Sequence, residues 1–351
     1  MPDTPDIQRE SAFVRMVELT DTVAPWAIRT AATLGLADLV APGGTSLEGL
    51  LKGLGEAGEQ VDSDALRRLM HYLVTIGIFT IDAGPGTFRR TPLAELMVSD
   101  NPVGMREWWL MNNAMAKLDQ ATVLMIDAVR TGEPAYEKLF GRDVWTDLAQ
   151  DPNLSASFEK AMAHKTRISL ASIVEAFPWP SARNLVDVGG GHGLLLEAVL
   201  REAPEAVGTV FDTAAGIATA RAHLAKSDVA DRARFAEGTF FGRWPEGADT
   251  YVVMNVLHNW PDDDVVRILG RGSEVLGPDS RILVVETVVG GDGDQASLAR
   301  LDLMMLIFSG GKERSFAEYS ELAGRAGLTI VDTHPTSFGL ALLELRRKEV
   351  R

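Results

Sequence analysis

The chain has 351 residues, which exceeds one typical domain and predicts two. Its formal net charge of −15 argues against nucleic-acid binding, because that affinity depends largely on Lys and Arg side chains that neutralise phosphates. The absence of Cys excludes disulfides, thiolate catalysis and Cys-ligated zinc. The sequence contains no apolar run of about 18 residues and no signal-peptide pattern, so we expect a soluble cytoplasmic protein that does not enter a membrane.

The first third of the chain, residues 1–105, is predicted to be a winged-helix domain. Apolar residues at helical spacing predict one helix over 26–40 and a second that begins at Asp62. Two β-rich runs around an Asp-Ala-Gly-Pro-Gly turn predict a hairpin over 79–91. A winged helix that binds DNA would place its second helix in the major groove, but this helix carries few positive charges. We therefore expect the domain to serve dimerisation, which makes a homodimer the predicted assembly.

The rest of the chain, residues 106–351, is predicted to hold a helical linker region over 106–176 and then an α/β domain. Six segments have the composition of strands, and helical stretches separate most of them: 184–188, 208–212, 250–256, 281–289, 328–334 and 341–347. Such alternation predicts a Rossmann-like, largely parallel sheet with helices on both faces. Ligands bind such sheets at the carboxyl ends of the strands.

A glycine-rich loop follows the first of these strands, in the stretch LVDVGGGHGLLLEAVL over residues 185–200. Gly189, Gly191 and Leu194 give G-x-G-x-x-L, so the third glycine of a dinucleotide site is missing. The Gly-Lys-Ser/Thr of a triphosphate loop is absent as well. Asp212 ends the next predicted strand, where a carboxylate accepts hydrogen bonds from ribose hydroxyls. The loop therefore favours a nucleoside without a pyrophosphate.

Several longer motifs carry a resemblance to a known family: DVGGGHG, VFD, EGTFF, ADTYVVMNVLHNWPDDD, VVET and GGKERS. Together they resemble the S-adenosylmethionine-dependent O-methyltransferases of the plant caffeate type and their bacterial natural-product relatives. The resemblance covers nearly the whole chain and implies a seven-stranded methyltransferase domain preceded by a winged-helix dimerisation domain. It also implies S-adenosyl-L-methionine as the cofactor and an aromatic small molecule as the acceptor.

The resemblance also implies which residues bind the cofactor. They are Gly189 at its amino-acid end with Gly191 in the same loop, Met162 and Thr166 beside its methionine moiety, Asp212 at its ribose, and Thr239, Phe240 and Met254 around its adenine. Two of these positions depart from the family's pattern, which usually has Asp in place of Thr239 and Lys in place of Met254. Thr239 can still form one hydrogen bond to the adenine, and Met254 can pack under its ring.

His258, in the stretch VLHNW, is the base that the resemblance implies. A phenol has a pKa of about 10 and is mostly protonated at neutral pH, so a group that takes its proton as the bond forms assists the reaction. Glu286 and Glu313 are implied as supports, because a carboxylate on the other ring nitrogen stabilises the imidazolium. Three alternatives stay open: His258 packed under Trp260, Glu286 as a solvated strand end, and Glu313 as one charge of a surface cluster.

Three further residues are implied for the acceptor site: Asn259, Met304 and Phe308. Asn259 stands where the family more usually has Asp and can still donate and accept hydrogen bonds, whereas Met304 and Phe308 can equally belong to the core. The acidic run 262–264 stands at a predicted helix start, where carboxylates complement the helix dipole. We therefore predict no metal site.

The leading hypothesis for function is methyl transfer to a hydroxyl of an aromatic, polyketide-like secondary metabolite. The alternative is a protein that keeps the fold and the cofactor but catalyses hydroxylation or pericyclisation. Relatives of that kind tend to lose the histidine, and this chain keeps His258. A transcriptional regulator is disfavoured by the net charge of −15.

Overall fold

The computed structural model describes residues 4–84, 86–101, 105–290, 294–337 and 339–348, and of residues 4–10 the backbone alone. Pro85, in the predicted hairpin turn, lies outside the described residues. The chain forms two compact units, Met1–Ala116 and Lys117–Arg351. No helix of the described residues is both long and apolar enough to cross a membrane.

The first unit combines helices with a small antiparallel sheet of order β1-β3-β2. Its elements are α1 (Thr4–Leu19), α2 (Val23–Thr33), α3 (Leu36–Leu39), β1 (Thr45–Ser46), α4 (Leu47–Glu56), α5 (Ser63–Thr75), β2 (Phe79–Ile81), β3 (Thr87–Arg90) and α6 (Pro92–Glu95). Asp62 caps α5, because its side chain accepts a hydrogen bond from the Ala65 amide. Leu66, Met70 and Leu73 bury one face of that helix, each stabilising the fold by about 1.5 to 3 kcal/mol. The predicted hairpin is confirmed.

The prediction of one helix over 26–40 is wrong. The chain forms α2 and α3, and Gly35 between them has a φ of 64°, which is left-handed backbone. A glycine adopts this conformation without the steric cost that a Cβ imposes, so it ends the first helix. Val40 has extended backbone, so the second helix stops before Gly43.

Helices also fill the segment before the large sheet, as its composition predicted. They are α7 (Ala114–Ala121), α8 (Met125–Thr131), α9 (Ala135–Phe140), α10 (Val144–Gln150) and α11 (Pro152–Ala176). Asp151 caps α11 through the amides of Asn153 and Leu154, and Pro152 occupies the first helical position, where a missing N–H costs nothing.

The second unit contains the large sheet, whose strands alternate with helices. Its remaining elements are β4 (Asn184–Val188), α12 (Leu194–Glu202), β5 (Val207–Asp212), α13 (Ala214–Leu224), β6 (Ala233–Glu237), β7 (Thr250–Met254), α14 (Asp262–Val275), β8 (Arg281–Val289), α15 (Gln295–Phe308), β9 (Arg314–Ser315), α16 (Phe316–Arg325), β10 (Leu328–Pro335) and β11 (Leu340–Arg347). The described strands pair in the order β10-β11-β8-β7-β4-β5-β6, and β9 pairs with β8. The seven-stranded methyltransferase sheet is confirmed.

The strand order positions the site. Strands β4 to β8 are mutually parallel, and β10 and β11 are antiparallel additions at one edge. From β4 the chain goes to β5 on one side and later to β7 on the other, which creates a crevice at the carboxyl end of β4. The strand β6 was not predicted; it has five residues, of which only Ala233 is buried, and it lies at the edge of the sheet.

Candidate active site

The glycine loop follows β4 and occupies this crevice. Gly189, Gly191 and Gly193 all have positive φ, at 73°, 50° and 73°. The Gly189 amide donates to the carbonyl of Phe211 at 2.8 Å, which fixes the loop against the end of β5. A Cβ at Gly189 would lie 3.0 Å from Val256 and 3.7 Å from the ring of Phe240. Glycine therefore lets the loop come close to Phe240, which the sequence assigned to the same ligand.

Asp212 is held at the end of β5 by this loop. Its Oδ2 accepts a hydrogen bond from the Gly191 amide at 2.9 Å, and its Oδ1 accepts one from the Thr213 amide at 2.6 Å. Burial raises the pKa of Asp212. The residues predicted to hold the amino-acid end and the ribose of the cofactor therefore lie together.

A second acid, Asp187, lies beneath the loop inside β4. Its side chain is buried, and among the described residues its Oδ2 has no hydrogen-bond partner. Burial, and then the charge of Asp212, raises the pKa of Asp187 to about 7. Two carboxyl groups at the bottom of a glycine cradle fit a ligand that carries ribose hydroxyls and positive charge, as S-adenosylmethionine does.

The other predicted cofactor residues lie on three elements. Phe240 packs edge-on against Trp260 with 5.7 Å between ring centroids, whereas the side chain of Thr239 is exposed. Met254 ends β7 and is partly buried. Met162 and Thr166 lie on α11, also partly buried.

His258 and two glutamates form a buried cluster. His258 lies in a single 3-10 turn, Leu257–Asn259, after β7. Its Nδ1 is 2.7 Å from Oε1 of Glu313 and 3.9 Å from Oε2 of Glu286. The exposed fractions are 5% for His258, 0% for Glu286 and 4% for Glu313. This burial excludes a solvated Glu286 and a surface role for Glu313.

Glu286 positions the turn that carries His258. Its Oε1 accepts hydrogen bonds from the amides of Val256 at 3.0 Å and Leu257 at 2.8 Å. Burial raises the pKa of Glu286, the charge of Glu313 raises it as well, and His258 together with the Leu257 amide opposes the shift. The carboxyl group therefore orders the backbone before the histidine and lies beside its ring.

Glu286 lies inside its strand, so the alternative of a solvated strand end does not hold. It does not end its strand, because β8 continues to Val289, where it pairs with β9. The neighbouring strand β7 ends at Met254, opposite Val285. Glu286 is thus the first residue of β8 beyond the end of β7, which is why it still reaches the turn with His258.

Arg314 also fixes this turn, although no motif in the sequence predicted it. Its side chain is fully buried, and its guanidinium donates to the carbonyls of Leu257 at 3.1 Å and Trp260 at 2.7 Å. The same group pairs with Asp262 at 2.8 Å. Asp262 begins α14, so the acidic run does stand at a helix start, and one of its carboxylates also anchors Arg314. In the sequence Arg314 is one charge among several, and nothing there marks it as buried.

Gly311 completes the frame around His258. A Cβ at Gly311 would lie 2.0 Å from the carbonyl oxygen of His258 and 2.9 Å from the Cα of Asn259. Only glycine allows the loop with Glu313 to pack directly on the turn with His258.

Two further ionisable groups lie near the cluster and were missed. Burial lowers the pKa of Lys165, on α11, and the charges of Glu286 and Glu313 partly offset this effect. Burial, and then the same two glutamates, raises the pKa of Tyr319. Neither residue belongs to a recognisable motif, so their place beside the cluster follows from the fold.

The predicted acceptor residues lie around the same edge of the sheet but differ in burial. Asn259 is half-buried, and its Nδ2 donates to the carbonyl of Asn255 at 3.1 Å. Met304 is partly exposed and Phe308 is buried, both on α15. Trp145, which was not predicted, joins the aromatic contact between Phe240 and Trp260. It stacks on Trp260 with 5.6 Å between ring centroids.

Fold and site together define a nucleoside-binding α/β enzyme with a buried histidine–carboxylate pair. Comparison with known families specifies the class. Residues 123–329 match the O-methyltransferase domain, and residues 17–100 match the O-methyltransferase dimerisation domain. The chain belongs to the O-methyltransferase family and is an S-adenosylmethionine-dependent methyltransferase.

Several similar proteins are bacterial enzymes of natural-product biosynthesis. The chain is 37% identical to a 2,7-dihydroxy-5-methyl-1-naphthoate 7-O-methyltransferase of Streptomyces carzinostaticus, over 94% of this chain and 97% of that one. It is 36% identical to the aclacinomycin 10-hydroxylase RdmB of Streptomyces purpurascens, over 90% and 84%. Among solved structures, the neocarzinostatin O-methyltransferase NcsB1 with S-adenosyl-L-homocysteine and 1,4-dihydroxy-2-naphthoic acid superimposes with a TM-score of 0.84 at 37% identity, covering 94% of this chain and 98% of that one.

Proposed function

We propose that this methyltransferase transfers the methyl group to a hydroxyl of an aromatic secondary metabolite and that His258 is the general base. The observation that carries the proposal is the buried contact of 2.7 Å between Nδ1 of His258 and Oε1 of Glu313. Relatives that act on naphthoate, phenazine and mitomycin acceptors support the aromatic class.

The ring nitrogens of His258 have different roles in this proposal. Nδ1 of His258 donates its proton to Oε1 of Glu313, which leaves Nε2 to accept one from the acceptor hydroxyl. About 3.5 pK units separate a phenol from a free imidazole, equivalent to roughly 5 kcal/mol. The carboxylates of Glu313 and Glu286 narrow this gap, because they stabilise the imidazolium that forms.

S-adenosylmethionine supplies an electrophilic methyl group on a sulfonium. The protein's part is alignment, since the attacking oxygen must lie in line with the bond that breaks. Residues Gly189, Gly191 and Asp212 would hold the cofactor, and Glu286, Arg314 and Gly311 fix the turn that carries His258.

A second activity has one specific observation in its favour. A relative at 36% identity is a hydroxylase, so the fold and the cofactor site do not by themselves fix the reaction. Methyl transfer and the altered chemistry are distinguished by incubating the protein with S-adenosylmethionine and a panel of phenols and measuring the S-adenosylhomocysteine that forms. We expect stoichiometric S-adenosylhomocysteine and methylated phenol. Tight cofactor binding without turnover of any acceptor would instead favour the altered chemistry.

A further inference from the structure

Glu159 lies on α11 and faces the glycine loop that follows β4. Its Oε2 is 3.4 Å from Nδ1 of His192 in that loop, and 4.0 Å from the position that a Cβ would occupy at Gly191. Gly191 has left-handed backbone with a φ of 50°, and its amide donates to Oδ2 of Asp212. The loop at Gly191 therefore has one carboxyl group from β5 and a second one from α11 beside it.

The oxygen of Glu159 that faces the loop lacks a donor. Although the side chain is 22% exposed, its Oε2 is buried, and among the described residues this atom accepts no hydrogen bond. The contact with His192, at 3.4 Å, is longer than the roughly 2.7 to 2.9 Å of a charge-assisted hydrogen bond. Because a buried carboxylate oxygen without a donor is unfavourable, Oε2 is placed to accept a hydrogen bond from a ligand in the loop.

The position of Glu159 on its helix indicates which part of the cofactor it meets. Met162 and Thr166, predicted beside the methionine moiety, follow it by three and seven positions, and residues at these spacings share one side of a helix. The methionine moiety carries an α-amino group, whose ordinary pKa of about 8 makes it mostly an ammonium at pH 7. An ammonium has three donors and no acceptor, which complements Oε2 of Glu159.

We propose that Glu159 is a positioning residue of the cofactor site, where its Oε2 binds the α-ammonium of S-adenosylmethionine. The inference rests on the cofactor of the family and is independent of the acceptor and of His258. A charge-assisted hydrogen bond of this kind is about twice as strong as a neutral one and ties the amino-acid end of the cofactor to α11. The positive charge also offsets the repulsion between Glu159 and Asp212, since burial and, to a smaller extent, the charge of Glu159 raise the pKa of Asp212.

The test compares two ligands that differ only in the amino group, S-adenosylhomocysteine and its analogue in which hydrogen replaces the α-amino group. Their dissociation constants are measured by titration calorimetry without an acceptor, so that no turnover is needed. We expect the unmodified protein to bind S-adenosylhomocysteine at least about tenfold more tightly than the analogue, which corresponds to about 1.4 kcal/mol. Glu159→Leu should lower this ratio to about twofold or less, because it removes the acceptor. Glu159→Gln keeps an acceptor without the charge, and its ratio should lie between the two.

Glu175→Leu is the matched control, because it removes an exposed glutamate from the same helix and should leave the ratio unchanged. His192→Ala should also keep the ratio, since the carboxylate of Glu159 remains. If Glu159→Leu does not fold, the comparison rests on Glu159→Gln. The inference is overturned if the unmodified protein does not favour S-adenosylhomocysteine, if the Glu159 variants weaken both ligands equally, as the loss of a ribose contact or of packing would, or if His192→Ala alone removes the preference.

Discussion

At the scale of single residues, the first prediction concerns His258. His258→Ala should lower kcat by about 10² to 10⁴, because the acceptor loses the group that takes its proton. The dissociation constant of S-adenosylmethionine should stay within about twofold, since none of the predicted cofactor residues lies on this turn. Steady-state kinetics and calorimetry measure the two quantities.

His71→Ala is the matched control, because His71 is exposed on α5 in the first unit. Its kcat should equal that of the unmodified protein. An unchanged kcat in His258→Ala would contradict the proposed base.

The raised pKa of Asp187 predicts that the unfolding free energy of the protein depends on pH. Its pKa is raised from 3.8 to about 7 by burial and by Asp212, so the folded protein binds this proton more tightly than the unfolded chain. The resulting stability is fully present below pH 3.8 and is lost as the pH rises through about 7. Raising the pH from 5 to 8 should therefore lower the unfolding free energy of the protein by about 2 to 3 kcal/mol through this group.

Asp187→Asn removes this titration. In urea unfolding without cofactor, the unmodified protein should lose stability relative to the variant over that pH range. Parallel pH profiles of the two proteins would contradict the raised pKa.

The sequence could predict some residues of the site but not others, for a physical reason. His258, Glu286 and Glu313 stand in motifs whose spacing is typical of the family, and the structure brings them within hydrogen-bonding distance or close to it. Lys165 and Arg314 act through burial, and burial depends on which elements pack over them. In the sequence nothing distinguishes them from the lysines and arginines of helices and polar loops, which are mostly exposed to solvent.

At the scale of elements, the close packing of Gly311 on the turn with His258 predicts that a larger residue at position 311 displaces this turn. Gly311→Ala places a Cβ 2.0 Å from the carbonyl oxygen of His258, so the backbone of one segment must move. A displacement of about 1 Å at a catalytic group can cost about 10²-fold, and we expect kcat to fall by about 10-fold or more. Stopped assays measure kcat, and thermal melting measures the stability of the variant.

Gly270→Ala is the control for adding a methyl group. Gly270 lies inside α14, and a Cβ there meets nothing within 4 Å. The variant should keep its kcat and gain about 0.5 to 1 kcal/mol of stability, because alanine favours a helix over glycine. Equal activity of both variants would contradict the close packing on His258.

Element boundaries were harder to predict than element types. The segment 184–188 matches β4 because a run of apolar residues buried on both faces is typical of a central parallel strand. The edge strand β6 has mixed burial and was missed. The predicted segment 281–289 matches β8, whose last two residues pair with β9.

At the scale of the whole molecule, the order of element types was the most predictable property. Alternation of strands and helices after 184 predicted a largely parallel sheet, and the missing third glycine excluded a dinucleotide at its edge. The identity of the aromatic acceptor was not predictable, because the walls of its site come from helices whose contacts form only in the folded chain.

The surface of the first unit predicts self-association. On α1, Phe13, Met16, Val17 and Leu19 are all more than half exposed, and Trp26 on α2 is 42% exposed. Apolar residues clustered in this way on a surface mark an interaction site, and residues 17–100 match a dimerisation domain. We therefore expect a homodimer in sedimentation velocity at micromolar concentration.

Charged substitutions on α1 test whether this surface forms the dimer. The double variant Phe13→Glu and Met16→Glu should raise the dimer dissociation constant by at least about 100-fold. The two apolar side chains that the dimer would bury are replaced by charges without partners. Val331→Glu is the control, since Val331 on β10 is 50% exposed and belongs to the second unit. That variant should sediment as the unmodified protein does. A dimer that persists in the double variant would place the interface on another surface, and a monomeric unmodified protein would exclude the assembly itself.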